Sequence, residues 1–169
     1  MKIYQMTSIF KKYIQLIIQM ISIITVTYNN FDDLYRTLCS LEKIEGIEKV
    51  VVNGGDCAKT KEYLRDFDGI AISEPDKGIS DAFNKGVSRA TGDNVMFLNS
   101  GDILLSPEYL QEAEKIINFN PEISFVHSDL VFEDLISGDI RLTALQPFFL
   151  QSTTTGKGHA VSSPIHDRT

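Results

Sequence analysis

Five polar side chains are spaced so that each falls just after an apolar, strand-like run. Tyr28 follows ISIITVT, Asn53 follows VVV, Asp76 follows GIAISEP, and Asn99 and Asp102 follow NVMFL. An aromatic ring offers a platform for a flat base, and an amide or carboxylate pairs with its polar edge. Carboxylate and amide oxygens suit a hard divalent ion, which neutralises the charge of a diphosphate. Together these residue types are those of a site for a phosphate-bearing ligand held with a metal. Taken singly, each has a plainer reading. Tyr28 is a strand-end aromatic, Asn53-Gly54-Gly55 a good turn former, Asp76-Lys77-Gly78 a turn before a helix, and Asn99 to Asp102 a loop that satisfies its own backbone. The shared position at strand ends favours the functional reading, because ligands of open α/β sheets bind at the carboxyl ends of the strands.

The elements that must place these residues are legible from periodicity. Ile21 to Thr27, Val50 to Asn53, Gly69 to Ser73 and Asn94 to Leu98 are short apolar runs, expected as strands buried on both faces. Between them, Leu34, Leu38 and Leu41 recur at helical spacing, as do Tyr63, Leu64 and Phe67 within Thr60 to Phe67. The clearest helix carries Ile79, Ala82, Phe83, Gly86, Val87 and Ala90, with Gly92 suited to its C-terminal cap. Ser106-Pro107-Glu108 predicts a helix start with a side-chain cap, and Tyr109, Leu110, Ala113, Ile116 and Ile117 its buried face. Strands alternating with helices predict βαβ units, so the fold class expected is α/β: a mostly parallel central sheet with helices on both faces. Beyond Pro121, Ile123 to His127 is expected as another strand. Leu130 to Phe132 and Ile140 to Leu142 are expected as a hairpin about Ser137-Gly138.

Composition narrows the function. A chain of 169 residues has room for one domain with a real core, or most of a larger one. A formal charge of -7 without a Lys/Arg cluster argues against a nucleic-acid surface. Cys39 and Cys57 lack metal or CxxC spacing and fit a reducing compartment. Residues 1–20 are expected to be an extension, with Met20 a natural start before the first strand. Lys11-Lys12 followed by YIQLIIQM lacks a small-residue cleavage site, and its apolar part is too short to span a bilayer. The second reading of this stretch is an amphipathic helix lying on a membrane surface. Residues 21–150 form the expected ligand-binding domain. Residues 151–169 are a polar, aperiodic tail or the start of an acceptor region.

Four stretches carry a resemblance: ISIITVTYNN, VVNGGDCAKT, SEPDKGISDAFNKGVSRATGD and VMFLNSGD. They are similar to the nucleotide-binding part of family 2 glycosyltransferases of the GT-A, Rossmann-like fold, and look closest to the branch that builds bacterial surface polysaccharides such as colanic acid or O-antigen. The resemblance implies a nucleotide-diphosphate sugar donor, Mg²⁺ or Mn²⁺, a saccharide or lipid-linked acceptor and inverting transfer, in the cytoplasm or at the inner face of the membrane. By position it implies that Thr27 and Tyr28 contact the base and that Asp76 lies near base and ribose. Asn53 stands where the family usually has an aspartate pairing with the base edge. Asn99 to Asp102 occupies the place of the acidic metal motif, with Asp102 as metal ligand and Asn99 beside it. Asp129 resembles a position lining the site and is the candidate for the catalytic carboxylate. Glu133-Asp134, in the expected hairpin, is read as a solvated turn; His127, His159 and His166 could bind acceptor, metal or nothing, and for each the non-functional reading leads.

Two rival functions remain at this level. One is a non-catalytic nucleotide-sugar-binding or partner subunit that keeps the fold without the base. The other is a receiver-like signalling domain, which needs an acidic pair after the first strand, where this chain has Asn29-Asn30.

Overall fold

The computed structural model describes residues 20–120, 122–127, 130–133, 138–143 and 150–152. Its centre is a five-stranded sheet in the order β3-β2-β1-β4-β7, built from β1 (Ile21–Thr27), β2 (Ile47–Asn53), β3 (Ile70–Ser73), β4 (Asn94–Phe97) and β7 (Leu150–Ser152). The first four strands are parallel, and β7 runs antiparallel to β4. A separate antiparallel pair, β5 (Leu130–Glu133) and β6 (Ile140–Thr143), is the expected hairpin. The helices are α1 (Phe31–Leu41), α2 (Ala58–Tyr63, continued by a 3₁₀ turn at Leu64–Asp66), α3 (Ile79–Arg89) and α4 (Glu108–Phe119).

Strand periodicity divides the core between two faces. Ile21 and Ile23 of β1 and Met96 of β4, with Leu98 just beyond it, meet Leu41 of α1 and Leu110, Ala113 and Ile117 of α4. Val51 meets Leu34, Leu38 and Leu64 on the same side. On the opposite face Ile24, Val26, Val50, Val52 and Val95 pack under α3, through Ala82, Phe83 and Val87. Every residue of β1 is buried, as a central strand covered on both faces requires. Gly86 lets α3 settle close to the sheet: a Cβ there would overlap the Ile24 methyl.

Several local expectations are corrected. Strand β2 starts at Ile47, because pairing with β1 carries Glu48 and Lys49 into the ladder despite their charge. Glu48 accepts hydrogen bonds from Ser22 (2.5 Å) and from the hydroxyl and N–H of Thr91 (2.6 and 2.8 Å), tying β1, β2 and the turn after α3 together. Gly92 does not cap α3. The helix ends at Ala90 in an extended conformation, and Gly92 is needed where the chain crowds the Met20 carbonyl and Ser22. Ser106 makes no capping bond to the α4 backbone; its hydroxyl is bonded to the Glu108 carboxylate, while Pro107 already has helical dihedrals. Residues 123–127 form no strand. Only Val126 reaches the core, and Phe125 and His127 are exposed. Gln151 and Ser152, placed by pattern in the aperiodic tail, lie in the edge strand β7, which is too short for periodicity to reveal.

Candidate nucleotide-binding cleft

The strand order sets where a ligand fits. The chain runs outward from β1 through β2 to β3, then returns to place β4 on the other side of β1. The carboxyl ends of β1 and β4 therefore diverge at a topological switch point, the crevice where open α/β sheets bind ligands. A cleft of about 560 Å³ opens there, and Thr27, Tyr28, Asp76 and Asn99 all line it, together with Gly78 and Ile79 at the start of α3.

At the end of β1, Thr27 is buried and its carbonyl accepts the Gly54 N–H (3.1 Å). Tyr28 is turned outward, 70% exposed, over the cleft. Asn29 follows with φ of 53°, the one non-glycine residue with positive φ among the described residues. Its Oδ1 accepts the N–H groups of Asp56 (2.8 Å) and Cys57 (2.9 Å), fastening this loop to the one after β2. The Asn29-Asn30 dipeptide carried a usable signal, since Asn tolerates the left-handed region better than most residues.

Asn53 ends β2 fully buried and is not a lining residue of the cleft. Its Nδ2 donates to the Gly55 carbonyl (3.1 Å) and the Ser73 hydroxyl (2.9 Å), while its Oδ1 accepts the Gly55 N–H (3.1 Å). Both donors and the acceptor are thus engaged inside the protein. The arrangement makes Asn53 the joint between the β2 and β3 ends, with the Glu74 N–H adding a bond to its carbonyl (3.1 Å).

After β3, Asp76 accepts the Gly78 N–H at Oδ1 (2.8 Å) and lays Oδ2 against Gly54. Lys85, one turn from the end of α3, reaches back to the Pro75 carbonyl (2.6 Å), Glu74 (3.1 Å) and Asp81 (3.4 Å). Desolvation opposes the Lys85 charge, but the bonds it donates to Glu74 and Asp81 outweigh that and raise its pKa. Asp81 is shifted down, first by the Lys77 N–H and then by Lys85, against a desolvation that acts the other way. Lys85 and Asp81, which hold the loop under the cleft, are thus each shifted toward the charged form.

After β4, the Ser100 N–H and hydroxyl both bond the Val26 carbonyl (3.3 and 2.9 Å). Asp102 closes the turn on Asn99: its N–H donates to the Asn99 carbonyl (3.0 Å) and its Oδ2 accepts the Asn99 N–H (3.2 Å). Asp102 lies beside the cleft rather than on its wall. No group of three or more His, Cys, Asp or Glu that could hold a metal ion converges among the described residues. Oxygen donors from Asp102 and Asn99 fit a hard ion that completes its shell with ligand phosphates and water, the usual arrangement for Mg²⁺. Asp129, Asp134, His159 and His166 lie outside the described residues.

A second hollow, of about 530 Å³, lies at the opposite ends of the strands, near the start of β2 and the loop before β3. Its Lys49 is paired with Asp68 (3.3 Å), and none of the residues expected at the site lines it.

A mostly parallel sheet with helices on both faces and a cleft at its switch point is the Rossmann-like plan of the GT-A fold. Residues 22–159 match the model of glycosyl transferase family 2, and the chain belongs to that family. An uncharacterized glycosyltransferase of Mycobacterium tuberculosis, found in two strains, is 33% identical over 147 residues, 81% of this chain and 54% of the relative. The chain thus spans about half the length of these curated relatives. Among solved structures, the mannosyltransferase PcManGT from Pyrobaculum calidifontis in complex with GDP-Man and Mn²⁺ superposes with a TM-score of 0.55 at 20% identity, over 64% of this chain and 35% of that one. S. aureus TarS, residues 1–349, gives 0.55 at 19% identity, over 79% and 47%. At this identity both likenesses establish the fold.

Proposed function

We propose that this chain carries the donor-binding half of a metal-assisted glycosyltransferase. A nucleotide-diphosphate sugar occupies the cleft, its base on Tyr28 beside Ile79 and its ribose near Asp76. The diphosphate faces the Asn99 to Asp102 turn, where Asp102 and the Asn99 amide hold Mg²⁺ or Mn²⁺. The ion's chemistry is to neutralise the leaving diphosphate. The observation that carries this reading is the convergence of Thr27, Tyr28, Asp76 and Asn99 on one cleft at the switch point. The complex of PcManGT with GDP-Man and Mn²⁺ supports the same donor class and ion.

The sugar passes to a saccharide or lipid-linked acceptor by a single in-line displacement with inversion, in surface polysaccharide synthesis at the cytoplasmic side of the membrane. Asp129 is the proposed base that takes the acceptor proton. Asn53 acts from beneath, holding the β2 and β3 ends in register. Calorimetry with UDP- and GDP-sugars, with and without Mn²⁺, tests the donor site, and release of free or transferred sugar tests turnover.

One observation favours a second reading, a nucleotide-sugar-binding subunit without turnover. Asp76 is the only carboxylate lining the cleft among the described residues, and its Oδ1 is held by the Gly78 N–H. That reading predicts donor binding with no sugar release over long incubation.

A further inference from the structure

The acidic turn after β4 is held from behind by a side chain that faces the core. Thr37 lies on the buried stripe of α1, in line with Leu34, Leu38 and Leu41, and is fully buried. Its hydroxyl donates to the Asn99 carbonyl (3.3 Å) and accepts the Gly101 N–H (2.9 Å). These two groups flank Ser100. One hydroxyl is suited to bridging them because it is both donor and acceptor. The Asn99 carbonyl also accepts the Asp102 N–H, and the Asn99 N–H donates to the Asp102 carboxylate. A continuous path of hydrogen bonds therefore runs from Thr37 through Asn99 to the one carboxylate of the turn.

A neighbour on the same helix extends the attachment. The Ser40 hydroxyl donates to the Thr37 carbonyl (2.6 Å) and accepts the Leu104 N–H (3.3 Å), just past Asp102. Helix α1 thus grips the turn on both sides of Asp102. Gly101 takes φ of 100°, a conformation open to glycine at little cost, which permits the tight loop over α1.

We infer that Thr37 is a positioning residue for the metal and diphosphate end of the site, acting through the Asn99–Asp102 turn and not on the base. The inference rests on the functional reading above. Ion affinity is sensitive to groups that orient the direct ligands, with losses of about 10- to 100-fold when they are removed. The base end of the cleft is held by other bonds, those of Asn29, Asn53 and Lys85, so the two ends are separable.

The test compares Thr37→Val, which keeps shape and loses the hydroxyl, with Thr37→Ser, which keeps the hydroxyl. Calorimetry measures UDP or GDP, whichever the full chain binds, with Mn²⁺ and with chelator, and the matching nucleoside monophosphate with chelator alone. The expected result is a roughly tenfold or greater loss of the Mn²⁺-dependent gain in diphosphate affinity in T37V. Monophosphate affinity stays unchanged, and T37S restores the gain. A wild-type gain that T37V leaves intact, or equal losses for both ligands, overturns the inference alone. Absence of any Mn²⁺-dependent gain in wild type overturns the functional reading and the inference with it. If T37V does not fold, Ser40→Ala is read the same way. A selective loss supports the inference, and an unchanged Mn²⁺ gain overturns it.

Discussion

The carboxylate of Asp76 occupies the space where a side chain at position 54 would stand: a Cβ on Gly54 would overlap Asp76 Oδ2. The glycine after β2 and the acid after β3 are therefore a matched pair across two loops. Gly54 does not have positive φ, so its requirement is steric rather than conformational. Gly54→Ala requires the Asp76 side chain to swing aside from the Gly78 N–H, and a cost of about 0.5–1.5 kcal/mol, the worth of one such bond, is expected. In a double-mutant cycle with Asp76→Ala the two losses should be sub-additive by about 1 kcal/mol, measured by denaturant unfolding. Strict additivity would show that the two residues do not contend for the same space.

Asn53→Asp introduces the acid that the family resemblance implies at this position, and it should be harmful here. A carboxylate cannot donate to the Gly55 carbonyl, although the Ser73 hydroxyl can rotate to donate to it. A loss of about 3 kcal/mol is expected at pH 8, from a buried charge facing a carbonyl. Burial raises the folded-state pKa of the new carboxyl above its unfolded value of about 3.9. The variant's deficit is then full above the folded pKa and shrinks as pH falls through it. Urea unfolding of both proteins between pH 8 and pH 5 checks this; a deficit constant with pH would contradict it.

Tyr28 is exposed and contributes little to the core, so Tyr28→Ala should leave the thermal midpoint unchanged. Nucleotide affinity should fall by about 1–3 kcal/mol, the usual worth of an aromatic stacked on a base. Tyr28→Phe should bind as wild type does. Equal losses in both variants would move the interaction from the ring to the hydroxyl.

How much of this was legible beforehand follows from the kind of interaction involved. The four parallel strands and their helices announced themselves because burial imposes periodicity, and the rim at the strand ends followed from the parallel order. Thr27, Tyr28, Asp76 and Asn99 reach the cleft as expected. Asn53 does not, because which amide bonds outward or inward is decided by Gly55 and Ser73, the second of them twenty positions away. Thr37 gave a weak signal, a polar residue on an apolar helical stripe, whose meaning depends on a turn 62 positions further along the chain. Residues 123–127 misled because an apolar run reads as a strand whether or not another strand pairs with it, and among the described residues none does.

Glu48 gives the fold a pH signature away from the cleft. Partial burial opposes its ionisation, but hydrogen bonds from Ser22 and Thr91 outweigh that and lower its pKa. A carboxylate shifted down contributes stability that is present above its unfolded value, about 4.3, and is lost as pH falls through the folded value. The stability difference between wild type and Glu48→Gln should be constant near neutrality and shrink below about pH 4. Acid titration followed by circular dichroism measures it, and a difference that persists unchanged to pH 2 would contradict the role assigned to these bonds.

The central claim is that this cleft binds a nucleotide-diphosphate sugar with a divalent ion at the β4 turn. Calorimetric titration of the full chain with UDP- and GDP-sugars, in Mn²⁺ and in chelator, tests it most directly. The account predicts saturable binding of one donor, strengthened by Mn²⁺, with the Mn²⁺ gain lost in Asp102→Ala while chelator-state binding remains. No nucleotide affinity in the presence of Mn²⁺ or Mg²⁺, or a Mn²⁺ gain that survives Asp102→Ala, would contradict it.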